Sequence, residues 1–419
     1  MASTPSPLSY RDYRLFWIAR FAAVLAQVGM VVVIGWQVYD IARTDYGMGP
    51  KAAAFQLGLV GIAQFLPLLV LMPVAGWMAD RFDRRIVSAG AISLDLLNAL
   101  ALGWMTAHDT LTLPALFTVA ALHGVVRTFN GPSLSSIAPN LVPPESLPRA
   151  IAMSSIAWQT GAIIGPALGG FAYAANPALS YWIAAALLAI TAVSIIAIRP
   201  FARTSIKGHS HPLRQMIDGL GYVRGHRFLL GAITLDLFAV LLAGATALLP
   251  VYARDILKIG PEGLGWLRGA PALGATAMAM WFSFRPLAHN VGIKMLGAVI
   301  VFGAATIVFG LSTNLWLSLS MLTILGAADM LSVYVRSSLT QLYTPDEMRG
   351  RVNAVSQLAI SGSNELGEAQ SGLAAALVGP IGAVVLGGAG AIAVTLIWAY
   401  IFPELRRAKT FDPPKELLT

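Results

Sequence analysis

Twelve apolar runs, each long enough to cross a bilayer, decide what this chain can fold into. A hydrocarbon core of roughly 30 Å needs about 20 mostly apolar residues per helix. Charged residues make up only 11% of the 419 residues, whereas a soluble domain carries about 25%, so the solvent of this chain must be largely lipid. The predicted spans are 15–39, 56–79, 86–107, 112–136, 149–174, 178–198, 228–252, 263–284, 292–312, 314–338, 352–377 and 380–402. Only the short polar segment Ser312-Thr313-Asn314 separates the ninth and tenth predicted spans.

The spans fall into two groups of six, and a short internal repeat supports the division. The segment 141–151 resembles the segment 342–352, which lies 201 positions later, and both carry a proline followed by an acidic residue. Each segment joins the fourth span of its group to the fifth. We therefore predict an all-α membrane protein with twelve transmembrane helices in two pseudo-symmetric six-helix halves. The predicted parts are the N-terminal half 1–198, the cytoplasmic central loop 199–227, the C-terminal half 228–402 and the cytoplasmic tail 403–419.

The basic residues predict the orientation of the chain. With twelve spans, both termini and the loops 2–3, 4–5, 6–7, 8–9 and 10–11 share one side, and that side carries 20 of the 28 Lys and Arg residues. The opposite side carries four. The positive-inside rule places both termini in the cytoplasm, so the net charge of +8 is a topology signal and predicts no nucleic-acid partner. The first apolar stretch continues to about Tyr39, which predicts a retained helix and no secretory signal peptide.

The chemistry of an enzyme is missing from the sequence. There is no cysteine, which excludes disulfides, thiolate metal sites and a cysteine nucleophile. No phosphate-binding GxxxxGK[ST] loop and no glycine-flanked serine elbow occur. His209 and His211 could bind a metal weakly, but a solvated linker is the favoured interpretation, and His123 is isolated in its span. We predict no enzyme activity, no cofactor and no metal site.

Two segments carry glycine in patterns that suit moving helices. Gly76 in the loop after the second span would let another helix approach closely, and the arginines that follow could form a cytoplasmic charge latch. An ordinary positive-inside loop is the alternative. In the fifth span, glycines at a spacing of four permit tight packing and a proline loosens the helix; generic helix packing is the alternative there. The latch residues are Gly76, Asp80, Arg81, Arg84 and Arg85; those of the fifth span are Gly161, Gly165, Pro166, Gly169 and Gly170.

Charged residues inside the spans are candidates for binding substrate or protons. A charged side chain at the centre of a helix costs roughly 3 kcal/mol on insertion scales, so it usually has a partner or a task. Hydrogen bonding to neighbouring helices is an alternative for the acids, and reaching the membrane surface is one for Arg20, Arg127, Arg268 and Arg336. Glu365 and Glu368 share a helix face and could hold one proton together. The acids are Asp95, Asp236, Asp329, Glu365 and Glu368.

Three segments resemble the signature motifs of the major facilitator superfamily. The loop from Gly76 to Arg85 is similar to GxxxDRxGRR, with Asp83 in place of the usual glycine. The run from Arg127 to Gly131 resembles RxxQG, with Asn130 in place of glutamine. The fifth span resembles GxxxGPxxGG, which marks exporters and antiporters in that superfamily. The resemblance implies that the loop stabilises the outward-facing state.

The whole chain resembles one branch of that superfamily, the enterobactin-exporter-like and macrolide-efflux-like group. The resemblance rests on residues 13–17, 344–353 and 364–372. In this superfamily spans 1, 4, 7 and 10 line the cavity, which implies that Arg20, Arg127, Asp236 and Asp329 are cavity residues. The resemblance also implies a multi-pass protein of the bacterial inner membrane.

We expect a secondary active transporter that exports a small molecule, siderophore-like or drug-like, by proton antiport with alternating access. Its partners are then the lipid bilayer, the substrate and protons, and we expect a monomer. Import of a small metabolite is the first alternative, and the motif of the fifth span argues against it. A membrane sensor needs an appended soluble domain, and 199–227 is too short for one. A channel is the last alternative, and the repeat and the latch loop favour a moving carrier.

Overall fold

The computed structural model describes residues 6–135, 137–200, 212–285 and 287–411, and leaves some side chains within these ranges, including that of Asp80, undescribed. The described residues are almost entirely helical. The helices are α1 (Arg11–Thr44), α2 (Pro50–Arg81), α3 (Arg84–Ala107), α4 (Leu113–Ser135), α5 (Leu147–Ala175), α6 (Pro177–Ile196), α7 (Pro212–Gly225), α8 (Arg227–Leu242), α9 (Leu249–Val251), α10 (Gly260–Phe284), α11 (Val291–Leu311), α12 (Leu315–Leu342), α13 (Asp346–Val378), α14 (Pro380–Ile401) and α15 (Pro403–Arg407).

Nine helical segments in the described part of the chain are long and apolar enough to cross a membrane. The other predicted spans coincide with α4, α10 and α13, which are also long helices. Glu365 and Glu368 interrupt the apolar character of α13. All twelve predicted spans thus correspond to helical segments, as expected for an all-α membrane protein.

The seventh predicted span is not one continuous helix. α8 ends at Leu242, a 3₁₀ turn occupies Ala245–Leu248, and helical structure resumes in α9 and in a π-helical turn at Tyr252–Ile256. A Cβ at Gly244 would lie 2.6 Å from the carbonyl oxygen of Gly367 on α13, so only glycine fits this contact. Pro250 follows and has no N–H to donate. The predicted span is thus present as the membrane-spanning candidate Arg227–Ile256, with a break in the regular α-helix after Leu242.

The split between the ninth and tenth spans is confirmed. α11 ends at Leu311 and α12 begins at Leu315. The side chain of Asn314 caps α12 by accepting hydrogen bonds from the backbone N–H groups of Trp316 and Leu317, at 2.9 and 3.1 Å. Asparagine is among the best N-cap residues because its side-chain oxygen satisfies these free donors.

The helices form two compact units. The first contains Met1–Tyr46, Ala63–His209 and Ile259–Gly269. In it α1 packs along α5 and α6, and α3 packs along α4 and α6. The buried Tyr13 of α1 donates a hydrogen bond from its hydroxyl group to the carbonyl oxygen of Ala150 on α5, at 2.6 Å. The second unit contains Gly47–Ile62, Ser210–Lys258 and Ala270–Thr419; in it α11 packs along α12 and α14, and α8 packs against α13 and α14.

The boundaries of these units cut through two helices. The first part of α2 belongs to the second unit, and the first part of α10 belongs to the first unit. The predicted halves 1–198 and 228–402 therefore do not coincide with the compact units at α2 and α10, and the division into halves remains a prediction from the repeat. The same is true of the loop 199–227 and the tail 403–419, in which 201–211 and 412–419 lie outside the described residues.

Candidate functional site

A deeply buried ion pair joins α8 and α12 in the second unit. The guanidinium group of Arg336 contacts the carboxylate of Asp236, and the two side chains are 8% and 10% exposed. Sequence reasoning allowed Arg336 to reach the membrane surface, whereas the structure buries it. Burying either charge alone would cost several kcal/mol, and the opposite charge of the partner offsets part of this cost.

A polar cavity of about 240 Å³ lies beside this ion pair. Apart from Asp236 and Arg336, its polar lining consists of uncharged hydrogen-bonding side chains. Its wall is apolar only at Ile233, Ala359 and Ile360. The hydroxyl group of Ser356 is buried with no hydrogen-bond partner among the described residues, which leaves it available to a ligand. The other polar lining residues are Ser337, Thr340, Gln341, Asn353 and Gln357.

Sequence reasoning missed the contribution of α13 to this cavity. Asn353, Ser356 and Gln357 recur at intervals of three and one residues, so they share one face of a helix. This polar stripe in the first half of α13 was the available signal. Asn353 entered the sequence analysis only as part of a family motif.

Asp329 lies two turns before Arg336 on α12 and is half-buried. It lines a second, small cavity together with Asp236, Ser332 and Phe302. The structure thus brings together two of the predicted acids, Asp236 and Asp329, at one wall of α8 and α12.

A second buried polar cluster lies between α1, α3 and α4 of the first unit. The carboxylate of Asp95 contacts Nδ1 of His123, at 2.9 Å from Oδ1 and 3.2 Å from Oδ2. The side-chain amide of Gln27 donates a hydrogen bond to Oδ2 of Asp95 at 2.9 Å. The sequence-based interpretation of His123 as isolated was therefore wrong, because its partner lies 28 residues away on the neighbouring helix.

Two of the predicted arginines lie at the surface of the first unit or close to it. Arg127 is exposed and donates a hydrogen bond to the side-chain oxygen of Gln64 at 3.3 Å. Arg20 is half-buried, and its guanidinium carbon lies 5.8 Å from the ring centroid of Trp158. This distance suits a cation–π contact.

The predicted acid pair of α13 lies at a helix contact. Glu365 is buried and Glu368 is half-buried. A Cβ at Gly61 of α2 would lie 2.8 Å from the carbonyl oxygen of Glu365 and 3.0 Å from Cβ of Glu368. Both acids therefore stand where α2 and α13 meet, and neither lines the cavity beside Asp236.

The described part of the latch loop shows how α3 begins. A Cβ at Gly76 would meet no described atom within 4 Å, and a close helix approach at this glycine stays a prediction. Asp83 caps α3 by accepting a hydrogen bond from the backbone N–H of Arg85 at 2.9 Å, and its carboxylate also pairs with the Arg85 guanidinium group. An aspartate in place of glycine thus suits this helix start. Arg81 and Arg84 both have interaction partners, and the side chain of Asp80 lies outside the described residues.

The glycines of the fifth span pack closely against neighbouring helices. A Cβ at Gly161, Gly165 or Gly169 would lie 2.7 to 3.1 Å from atoms of α1. A Cβ at Gly170 would lie 2.5 Å from the carbonyl oxygen of Pro261, at the start of α10. Pro166 sits inside α5 without ending it. This helix therefore presents one glycine face to α1 and another to α10.

A cavity of about 750 Å³ in the first unit involves none of the predicted site residues. It lies at the ends of α1, α3, α5 and α6. Residues between helices, such as Asp109 and Asn176, form part of its wall. Asp40 and Asp45 add two further acids. It is a depression at the ends of the helices and lacks the buried ion pair that distinguishes the cavity at Asp236.

Comparison with known proteins places the chain within a family. The model of a family described as transmembrane secretion effector matches residues 2–414. The enterobactin exporter of Escherichia coli O1:K1 / APEC is 24% identical over 407 residues, which cover 96% of this chain and 94% of that protein. The enterobactin exporter of Citrobacter koseri is 25% identical over 408 residues, with the same coverage.

Solved structures of transporters share the fold. A POT family transporter in complex with a thioalcohol-conjugated peptide has a TM-score of 0.73 at 14% identity and covers 94% of this chain and 96% of its own. A D-xylose–proton symporter has a TM-score of 0.69 at 14% identity and covers 93% and 98% of the two chains. At this level of identity, the likeness is one of fold alone.

Proposed function

Since this chain belongs to the transmembrane secretion effector family of the major facilitator superfamily, we propose that it exports a small molecule by proton antiport with alternating access. The family and the relatives are transporters rather than enzymes. The protein is a multi-pass membrane protein, so its partners are the lipid bilayer and a small-molecule substrate. The single observation that carries the proposal is the buried ion pair of Asp236 and Arg336 at the wall of a polar cavity.

The direction of transport is supported by two independent observations. The similar curated proteins are enterobactin exporters, and they match along nearly the whole chain. The fifth helix carries the glycine pattern of exporters, and its glycines make close backbone contacts with α1 and α10. We therefore propose a siderophore-like or drug-like substrate. The uncharged polar lining of the cavity suits a substrate with several hydroxyl or amide groups.

The ion pair offers a way to couple protons to substrate. When Asp236 is ionised, it neutralises Arg336. When Asp236 takes up a proton, the charge of Arg336 becomes available to an anionic or strongly polar group of the substrate. Moving one elementary charge across 100 mV is worth about 2.3 kcal/mol, so one proton supplies enough free energy to bias such an exchange. Glu365, Glu368 and Asp329 are the other acids proposed to take part, and Arg20 and Arg127 the other basic residues.

Alternating access is supported by glycine contacts between helices of opposite sequence halves. A Cβ at Gly58 of α2 would lie 2.9 Å from Cα of Gly372 on α13. A Cβ at Gly265 of α10 would lie 2.8 Å from the carbonyl oxygen of Pro166 on α5. Such contacts contain no interlocking side chains, so the helices can separate and close again without repacking. We propose that the latch from Gly76 to Arg85 stabilises one of the two states.

The proposed setting is the bacterial inner membrane, with both termini in the cytoplasm and the protein acting as a monomer. The distribution of basic residues supports the orientation.

Efflux from reconstituted vesicles tests the proposal. Vesicles are loaded with enterobactin or, in parallel, with a fluorescent cationic dye, an inward-directed proton gradient is imposed, and efflux is followed with and without an uncoupler. We expect outward transport of one of the two probes that collapses with the uncoupler. Accumulation in place of efflux contradicts the direction, and efflux that ignores the uncoupler contradicts proton coupling. Glu404→Gln is the matched control, because Glu404 makes a surface ion pair with Arg227 at 2.8 Å.

A further inference from the structure

We infer that Asp95 and His123 form a proton-binding site in the first unit, separate from the ion pair of Asp236 and Arg336. The inference deepens the proposed function and rests on it only for the role of the bound proton in transport. The binding of the proton itself follows from the cluster between α1, α3 and α4.

The cluster is sealed from solvent. Asp95 is 0% exposed and His123 is 3% exposed. Both oxygens of the Asp95 carboxylate are engaged by nitrogen atoms, Oδ1 and Oδ2 by His123 and Oδ2 also by Gln27. Among the described residues, the Asp95 carboxylate has no arginine or lysine as a hydrogen-bond partner.

The hydrogen bonds restrict the protonation states. An ionised carboxylate can only accept, so Nδ1 of His123 must donate its proton to Asp95. With a neutral imidazole the cluster then carries one negative charge, and with an imidazolium it carries none. A net charge in a lipid-embedded bundle is far less stable than a neutral pair. The sealed cluster can therefore hold one additional proton without carrying a net charge.

The charged and titratable groups on the surrounding helices have other contacts in the described structure. On α4, Arg127 follows one turn after His123 and is directed to Gln64 of α2. On α1, Arg20 precedes Gln27 by two turns and lies over Trp158 of α5. On α6, the titratable residue is Tyr181, whose hydroxyl group bonds the side chain of Gln37. None of these contacts supplies a fixed cation hydrogen-bonded to Asp95.

A buried polar group without a partner among the described residues lies on the same face of α3 as Asp95. Asn98 is buried, and its side-chain nitrogen has no hydrogen-bond partner among the described residues. It lies three residues after Asp95, on the same side of the helix. A free donor next to the cluster provides a binding point for the hydration that must accompany release of the proton when the helices rearrange.

The test observes His123 directly and needs no transported substrate. The full chain is placed in lipid nanodiscs with ¹⁵N-labelled histidines, and the imidazole nitrogen signals are followed between about pH 5 and about pH 8, the range in which histidine changes charge. The signal lost in His123→Gln identifies His123. The exposed His108 and His289 serve as solvent-exposed reference signals in the same spectra.

We expect His123 to pass from the imidazolium form to the neutral form protonated at Nδ1 as the pH rises. In Asp95→Asn the carboxylate charge is absent, and we expect only the neutral form across the range. A wild-type His123 that keeps one protonation state throughout overturns the inference. An unchanged titration in Asp95→Asn overturns the assignment of Asp95 as its partner.

A transport measurement separates this site from the antiport mechanism. If His123 titrates but efflux ignores the proton gradient in the wild type, the proposed antiport fails and the proton site stands. If efflux is proton-driven, an imposed pH gradient should accelerate substrate efflux through the wild-type protein. We expect this acceleration to be lost in His123→Gln, while exchange of substrate across the membrane continues. A His123→Gln variant with the wild-type response overturns the role of the site in coupling.

Discussion

Arg336 on α12 directs its guanidinium group onto the carboxylate of Asp236 on α8, and both side chains are buried beside a polar cavity. The two residues are 100 positions apart in the sequence, so only the fold reveals the pair. An ion pair buried in this way contributes little to stability as a whole, but its rupture leaves a charge without compensation. This asymmetry leads to a double-mutant test.

Neutralising one member of the pair should destabilise the protein more than neutralising both. We expect Asp236→Asn to lower the free energy of unfolding by about 3 kcal/mol, because Arg336 is left buried without a counter-charge. The double variant Asp236→Asn/Arg336→Gln should recover most of this loss but not transport. Thermal unfolding in detergent and vesicle efflux measure the two effects. The account of the pair fails if the double variant is less stable than Asp236→Asn.

The contact between α2 and α13 predicts a size limit at its glycines. A Cβ at Gly372 would lie 2.5 Å from Cα of Gly58, so Gly372→Val should separate these helices and reduce efflux strongly. The control is Gly297→Ala on α11, where a Cβ meets no described atom within 4 Å. Alanine there should stabilise the helix slightly, by up to about 1 kcal/mol. Similar efflux from the two variants would contradict the contact.

The contact between α1 and α5 predicts a graded response along one helix face. A Cβ at Gly169 would lie 2.7 Å from the carbonyl oxygen of Gly29, whereas one at Gly165 would lie 3.1 Å from that of Leu25. Gly169→Ala should therefore lower the melting temperature more than Gly165→Ala. Gly90→Ala on α3 is the control, since its added methyl group meets no described atom within 4 Å. The reverse order of the two α5 variants would argue against this packing.

Asp83 predicts a separable cap and charge effect at the start of α3. Asp83→Ala removes the acceptor for the N–H of Arg85 and should cost about 1 kcal/mol of stability. Asp83→Asn keeps an N-cap acceptor and loses the ion pair with Arg85, so we expect an intermediate melting temperature. Asp83→Asn as damaging as Asp83→Ala would show that the charge, rather than the cap, stabilises this turn.

The orientation can be tested cleanly because the chain has no cysteine. Single cysteines at Ser9 and Lys409 should both be shielded from a membrane-impermeant thiol reagent in intact cells and become reactive after permeabilisation. A cysteine at Thr110, in the loop between α3 and α4, should react in intact cells. Reaction of Ser9→Cys and Lys409→Cys from opposite sides would contradict an even number of spans.

The sequence predicted the helices well because lipid imposes a simple length and polarity rule on each span. Asn314 illustrates this success, since a polar cap between two apolar runs fixes the boundary of α11 and α12. The break after Leu242 escaped prediction because it depends on how closely Gly244 approaches Gly367 of α13. That distance belongs to tertiary packing and leaves no mark on hydropathy.

The sequence analysis singled out acidic residues that line the candidate site, but it did not predict which residues they pair with. Asp236, Asp329 and Asp95 stood out because acids are expensive inside a span. Their partners did not follow, because His123 and Arg336 lie on other helices and the pairing depends on how those helices rotate. The polar face of α13 around Ser356 was visible as a helical period, yet its role required the neighbouring α8 and α12.

Simultaneous measurement of proton and substrate movement tests the central claim most directly. Wild-type protein and Asp236→Asn are reconstituted in vesicles that contain a pH-sensitive dye and the exported probe, and an outward substrate gradient is imposed without a membrane potential. The account predicts that substrate leaving through the wild-type protein drives protons inward, and that Asp236→Asn abolishes this proton movement. Substrate efflux through the wild-type protein with no change of internal pH would contradict it.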